Sequence, residues 1–366
     1  MKLYLVGQRS SLGGGIHFSE FCNSLLKLSE LPFEPKEVDA SNGENLMQLM
    51  QICSPTDVII CFIPLPNQLK FCSFLIGWAI FESTSIDDIR LNFFYHCDVL
   101  WTPSIWGKDI LIEHGFDSKI IDVIPEGVNP AKFHPFLRNS SKRKKPFRFL
   151  SVGKFEERKS YRELLTAFKT VYGDDKSVEL VIKADYFAEH GNRRDQIQKL
   201  IESNALLNVR IVYGNLDDKK LFTLYSMCDI FVAPSKGEGW GLPIIEAAAC
   251  GLPIMATLYS GHSSFLNEIR KSVYEIEYSL ADITDKDFLK FNKNRKDLPY
   301  GRWAIPKISS IEQGFLYVKQ HFPEFDAEAF YGSSIIRKKY SWDSSVTRAL
   351  SSISDRGLTA DLISFA

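Results

Sequence analysis

DIFVAPSKGEGWGLPIIEAAACGLPIMAT, residues 229–257, reads in one pass as strand, glycine-rich turn, helix and strand. DIFVAPS is a short apolar run, LPIIEAAAC carries helix formers behind a proline suited to a first helical turn, and LPIMAT is apolar again. That order is one βαβ unit. It places the turn at the carboxyl end of a parallel strand, where open α/β sheets bind ligands. Gly237, Gly239 and Gly241 let the backbone turn sharply and approach a ligand closely. The helix behind them presents free N–H groups and the positive end of its dipole, an anion site suited to a diphosphate.

The same rhythm runs outward in both directions and occurs twice. In the first half, strands are expected at 2–6, 56–63, 74–80, 98–104 and 119–125, with a helix over 16–28. The second half restarts at FRFLSVG (147–153) and continues through VELVIKA, NVRIVYG, DIFVAPS and LPIMAT, with helices at SYRELLTAFKTVY and KKLFTLYSM. Two α/β domains of doubly wound, Rossmann-like type follow, which suits 366 residues at a prior of roughly 150 per domain. The expected boundaries are 1–138 for the first domain, 139–146 (NSSKRKKP) for a basic linker, 147–339 for the second domain, and 340–366 for a helical tail. Two lobes imply a cleft.

Composition excludes several classes. With 44 basic and 45 acidic side chains the net charge is −1, and nothing calls for a nucleic-acid partner. The seven cysteines form no CxxC pair and no Cys/His cluster of metal-ligand spacing, so they read as reduced core residues of a cytosolic protein. MKLYLVGQRS has too short an apolar stretch for a signal peptide, and no run of 18 apolar residues occurs. The basic linker offers a peripheral contact to anionic lipid headgroups at the inner face of a membrane, although such a run also suits a solvated loop.

Glu238 lies in the turn beside the expected anion site and Glu246 about one turn into the helix. A carboxylate only accepts hydrogen bonds, so paired hydroxyls of a ribose or a sugar ring are its natural partners. The bland alternative is a capping Glu238 and an exposed Glu246. In SVGKFEERKSYRELLTAF (151–168), Lys154, Arg158 and Lys159 follow a strand that ends in glycine. Cations there can neutralise a phosphate leaving group, and Lys154 and Lys159 lead for that role, while the bland alternative makes Arg158 and Lys159 solvated loop charges beside Glu156 and Glu157. SSLGGGIHF (10–18) joins the first strand to the first helix through Gly13, Gly14 and Gly15, a glycine cluster that is neither Walker A nor GxGxxG. Ser260, Gly261 and His262, after the strand LPIMAT, are expected to face the same cleft.

Taken together these segments resemble the retaining glycosyltransferases of family 4, with the two-domain GT-B fold. EGWGLPIIE is similar to the family's E-x7-E motif, GKFEERKSYRELLTAF to its "GR…KG…LL.AF" stretch with Lys154 where arginine is usual, and VIPEGVNPAKFHP to its "IPNGVD…F.P". CDVLWTPSIW and YSWDSSV are similar to the end of its first domain and to its C-terminal crossover helix. The resemblance implies transfer of a sugar, with retention, from a UDP-, GDP- or ADP-linked donor to a sugar or lipid-linked glycan acceptor held by the first domain, with no metal or other cofactor. It implies Glu246 on the donor ribose, Glu238 at the donor sugar, and Lys154 and Lys159 on the diphosphate. The amides of Gly241 and Leu242 would approach the phosphates, and Gly13 to Gly15 the reaction centre.

One departure is clear. Where many members carry a histidine after the strand FLIGWAI, this chain reads GWAIFESTSI, and Glu82 is the nearest polar candidate, with His17 and His96 as alternatives and His96 in an apolar helical stretch. GWAIFES with YGRWAIP (300–306) resembles a subset of members with an acidic residue there. A GT-B epimerase or phosphorylase and a non-catalytic nucleotide-sugar-binding protein are the rival readings. A nicotinamide-dependent dehydrogenase would need a GxGxxG turn, which is absent.

Overall fold

The computed structural model describes residues 1–11, 13–29, 31, 33–66, 71–136, 146–185, 193–203, 206–285, 288 and 301–358. The basic linker therefore lies, apart from Pro146, outside the described residues. Two compact units are present: unit 1 comprises 1–81, 85–129 and 340–366, and unit 2 comprises 82–84 and 130–339.

Unit 1 is a six-stranded parallel sheet built from β1 (Lys2–Gly7), β2 (Glu34–Asp39), β3 (Val58–Cys61), β4 (Phe74–Trp78), β5 (Val99–Thr102) and β6 (Ile121–Val123). Their order is β2-β1-β3-β4-β5-β6, with Leu3 opposite Val58 and Ile76 opposite Val99. Alternation along each strand sorts side chains to two faces. Tyr4, Val6, Ile59 and Cys61 meet Leu46 and Leu49 of α2 (Gly43–Ile52), Phe93 and Phe94 of α3 (Asp88–Phe94) and Ile110 of α4 (Ile105–Glu113). Phe62, Trp78 and Trp101 form an aromatic cluster with His17 and Phe21 of α1 (Gly13–Leu25). Each such buried aromatic contributes about 1.5–3 kcal/mol of transfer free energy.

Unit 2 repeats the plan with β7 (Phe147–Lys154), β8 (Val178–Asp185), β9 (Val209–Tyr213), β10 (Ile230–Ala233), β11 (Ile254–Ala256) and β12 (Val273–Glu275), ordered β12-β11-β10-β7-β8-β9 and all parallel. The helices α5 (Tyr161–Tyr172), α6 (Arg193–Ser203), α7 (Asp218–Ser226), α8 (Leu242–Ala249) and α9 (Ser263–Leu266) follow the strands in turn, and α10 (Ile308–Gln320) and α11 (Phe322–Lys339) close the unit. Leu164, Leu165 and Phe168 of α5 pack with Ile311, Phe315 and Val318 of α10 on Phe149, Leu180 and Ile182. A hairpin of β13 (Tyr278–Asp282) and β14 (Arg302–Pro306) stands apart from the main sheet.

The tail returns to unit 1, as the crossover pattern leads one to expect. The Val128 N–H donates to Tyr340 O at 2.8 Å, and the last helix, α12 (Trp342–Ser354), packs on α1. The Trp101 indole N–H donates to Ser352 Oγ at 2.8 Å, and that hydroxyl donates to Asp122 at 2.6 Å.

Several elements differ from the sequence expectation. The first helix begins at Gly13 and ends at Leu25, so the three glycines form its first turn and are not a loop ahead of it. Packing explains the gain: Gly15 sits so close to the Ser10 backbone that no side chain fits there. β3 to β6 and β9 to β11 are shorter than read, β1, β7 and β8 each run one residue longer, and 118–120 is a 3-10 turn ahead of β6. His96 is exposed just past α3, not within an apolar face. Cys72 is exposed while the other six cysteines are buried.

Candidate active site

Strand order assembles the site in unit 2. β11, β10 and β7 are neighbours in a parallel sheet, so the connections after them emerge at one edge. The chain proceeds from β7 outward to β8 and β9, then returns to β10 and continues outward to β11 and β12 on the other side. The gap between β7 and β10 is therefore the topological switch point of the sheet, the place where such sheets bind ligands.

From the β7 side, Lys154 ends the strand, a 3-10 turn covers Glu157–Lys159, and Ser160 adopts a left-handed conformation (φ 56°) before α5 begins. From the β10 side comes the turn with Glu238. Its carboxylate is 7% exposed and lies between two cations, Oε2 at 2.7 Å from Arg158 Nη1 and Oε1 at 2.6 Å from Lys159 Nζ. Arg158 also donates to Gly237 O at 2.6 Å and, through Nη2, to Glu156 at 2.9 Å. Glu82, one of the three residues that unit 2 takes from the first half of the chain, stands 4.0 Å from the same guanidinium. Lys154 is more exposed, with Nζ 3.7 Å from Glu156.

The electrostatics follow from this packing. Burial alone would push the Glu238 carboxyl up, but Arg158 and Lys159 outweigh it and hold the group well below the usual carboxylate range. For Arg158, burial disfavours the charge and the acids Glu238, Glu156 and Glu82 more than restore it. Lys159 is lowered by burial, with Glu238 opposing. The geometry is a carboxylate clamped by two cations.

From the β11 side, Ser260 takes another left-handed conformation (φ 67°) and its Oγ accepts the Glu238 N–H at 2.8 Å, while the Gly261 N–H donates to Glu238 O at 2.9 Å. Gly261 lies against Gly239 O with no room for a Cβ. His262 is fully buried, and its Nε2 lies 2.5 Å from Thr257 O, an acceptor, so Nε2 carries the proton. Burial lowers its pKa, and Nδ1 is left without a partner among the described residues. The ring braces the loop.

Gly241 is the N-cap of α8 with φ 95°, and Leu242 and Pro243 begin the helix, whose first turn has no side-chain cap. Glu246 is buried within α8 and accepts from the Tyr225 hydroxyl at 2.9 Å. Burial and the Glu246 charge raise the Tyr225 pKa, so the phenol stays protonated and donates.

Of the residues singled out from the sequence, Glu238, Lys159, Lys154 and Glu82 fall in one connected charge network, His262 supports it, and Gly241, Leu242 and Glu246 lie on the helix that continues the Glu238 turn. Gly14 and Gly15 belong to unit 1, as does His17, whose ring is buried against Trp78 and Trp342 and whose pKa burial lowers to about 3. The reading of Arg158 as a loop charge is corrected. Its side chain is 11% exposed and makes the most contacts to acids in the cluster. Lys236 and Tyr225 were not singled out at all, since the partners of each lie on distant segments. Among the described residues no three His, Cys, Asp or Glu side chains group as metal ligands, and no helix is long and apolar enough to cross a membrane.

Residues 134–277, which hold almost the whole of this network, match the family of group 1 glycosyltransferases. They form a group 1 glycosyltransferase domain. The glycosyltransferase match extends to curated proteins: a D-inositol 3-phosphate glycosyltransferase of Pseudarthrobacter chlorophenolicus is 26% identical over 184 residues, 48% of this chain and 43% of that protein. A serotype-specific mannosyltransferase of Escherichia coli is 32% identical over 108 residues, 29% of this chain and 13% of that one. The chain thus spans about half or less of the curated relatives it matches. Among solved structures, Anabaena HepE in complex with UDP and glucose aligns with a TM-score of 0.72 at 12% identity, covering 97% of this chain and 100% of that one. Sucrose-phosphate synthase from Thermosynechococcus elongatus aligns at 0.71 and 14%, covering 99% and 100%. The fold of the chain is GT-B.

Proposed function

We propose that the protein transfers a sugar, with retention, from a nucleoside diphosphate sugar to an acceptor hydroxyl of a sugar or lipid-linked glycan. One observation carries the reading: two buried cations, Arg158 and Lys159, converge on a single carboxylate at the switch point of the unit 2 sheet. Charge of this density, desolvated and fixed before any ligand arrives, is what a diphosphate leaving group needs. Lys154 adds a third cation at the rim, and the amides of Gly241 and Leu242 supply uncapped donors. Glu246 is the ribose acceptor, oriented by Tyr225.

In the reaction the bond from the anomeric carbon to the β-phosphate oxygen breaks and a bond from that carbon to the acceptor oxygen forms on the same face. The acceptor proton passes to the departing phosphate oxygen, so charge balances without a protein base. Glu238, once its cations turn to the diphosphate, faces the positive charge that develops on the sugar, and Glu82 flanks it. The UDP and glucose of the HepE complex belong to that protein, but they are the ligand class this network suits.

A thermal-shift panel of UDP, GDP and ADP with their sugars tests the reading, since a nucleotide that binds only the folded state raises the melting temperature by mass action. The ligand that shifts it should be consumed in a donor-release assay. Lys159→Ala and Glu246→Ala variants that fold normally and still turn donor over like the parent would refute the assignment.

A further inference from the structure

Lys236 lies just ahead of Gly237 and Glu238, and its side chain is 5% exposed, a rare place for a lysine. Its Nζ lies 2.5 Å from Glu157 Oε1 and 3.0 Å from Glu163 Oε1. These acids bracket the cation-bearing turn: Glu157 immediately precedes Arg158, and Glu163 follows Lys159 by one helical turn. Glu163 is 16% exposed and, among the described residues, its ion pair is with Lys236, while its second oxygen is buried with no hydrogen-bond partner. The backbone of Lys236 is anchored separately. Its N–H donates to Arg158 O at 2.7 Å, and its carbonyl accepts from the Ala304 N–H at 2.8 Å.

We propose that Lys236 is a positioning residue for donor binding: its ammonium holds Glu157 and Glu163 away from Arg158 and Lys159, leaving those two cations to a diphosphate. The inference rests on the function proposed above. The main-chain bonds fix the two loops to each other whatever side chain stands at 236, so the ammonium's contribution is charge. Without it, Glu163, 16% exposed, loses its counter-ion in a poorly solvated place and Glu157, 44% exposed, loses its partner at the edge of that place, and Arg158 and Lys159 are the nearest charges on the same turn able to replace it. The donor diphosphate then competes with two more acids.

The full chain carrying Lys236→Met is compared with the parent by calorimetric titration of nucleoside diphosphate and nucleoside monophosphate. The expected result is a loss of about tenfold or more in diphosphate affinity with the monophosphate affinity held within about threefold, because the perturbed cations serve the outer phosphate. Lys236→Arg, which keeps the charge, should stay near the parent. The triple variant Lys236→Met, Glu157→Gln, Glu163→Gln removes the acids as well and should recover parental diphosphate affinity; should Lys236→Met fail to fold, the triple variant decides alone. Equal loss for both nucleotides, no loss in Lys236→Met, or persistent weakness in the triple variant would overturn the proposal. Lys159→Ala separates the two levels: if it leaves diphosphate affinity unchanged, the donor-site reading itself fails.

Discussion

Replacing Glu238 by Gln tests what the clamped carboxylate is for. Glu238 is the anion that Arg158 and Lys159 hold, and on the function proposed above the diphosphate of a donor takes its place. At contact distances of 2.7 and 2.6 Å, each pair has about 6 kcal/mol of direct attraction at an effective dielectric of about 20, much of it cancelled by the cost of burial. Removing one partner of such a buried pair costs about 3–5 kcal/mol. The lower end applies, because Glu156 at 2.9 Å and Glu82 at 4.0 Å still compensate Arg158. For a unit of this size the loss is a fall of about 6–12 °C in melting temperature.

Binding should move the other way. With the resident carboxylate gone, the two cations meet the diphosphate uncontested, and a gain of about tenfold in affinity adds about 1.4 kcal/mol of stabilisation at saturating ligand. Turnover should fall by about 100-fold, since on the function proposed above the same carboxylate faces the charge developing on the sugar. Differential scanning fluorimetry with and without the nucleoside diphosphate, beside a donor-release assay, reads all three quantities. Weaker diphosphate binding in Glu238→Gln would mean that Glu238 helps to hold the donor, and unchanged turnover would remove it from the chemistry. Either result refutes the reasoning.

Because the Glu238 pKa is lowered by folding, its contribution is complete above the ordinary carboxylate value and is lost only as pH falls below it, so the stability gap between parent and Glu238→Gln should be flat from pH 8 to about 5 and narrow below about 4. His17 and His262 are depressed instead, so the unfolded chain binds the extra protons, and stability should fall as pH drops below about 6.5, by up to about 1.4 kcal/mol per pH unit for each ring. Thermal melts of His262→Gln and the parent between pH 5 and 7 check the slope. Ser160→Gly relieves a left-handed serine whose buried hydroxyl has no partner among the described residues, and should stabilise the protein by about 1 kcal/mol in a denaturant titration. Tyr225→Phe frees the Glu246 carboxylate from its phenol donor, and should weaken nucleoside diphosphate binding by about five- to tenfold by calorimetry while costing about 1 kcal/mol of stability.

The doubly wound halves and the Glu238 turn were legible because their signals are local: apolar runs of strand length, glycines at the turn and a proline at the helix start. β2 was not, since EPKEVD is polar and carries a proline, as an edge strand with one paired side can. The start of α1 was misread for a related reason. Glycine argues against helix on propensity, and only the close approach of Ser10 to Gly15 shows why it is used there. Arg158 and Lys236 were out of reach for another. Each is a cation on a turn, and whether it is solvated or buried depends on partners 79 or 80 residues away that meet it because β7 and β10 are neighbours. Strand order, not residue type, makes them part of the site.

Unit 2 is assembled from two pieces of the chain, residues 82–84 and 130–339. Glu82 O accepts the Trp303 indole N–H at 2.9 Å and abuts Gly237, while Thr84 Oγ1 accepts the Arg302 N–H at 2.8 Å. A carbonyl is common to every amino acid, so a recombined gene that joined a foreign first half to this second half would still offer Trp303 its acceptor. The threonine hydroxyl and the Glu82 carboxylate would not be inherited that way. Exchange of halves between relatives therefore carries a hidden tax, levied on two side chains far upstream of any joint one would choose, and a chimaera that restores Glu82 and Thr84 should regain what a clean cut at the linker loses.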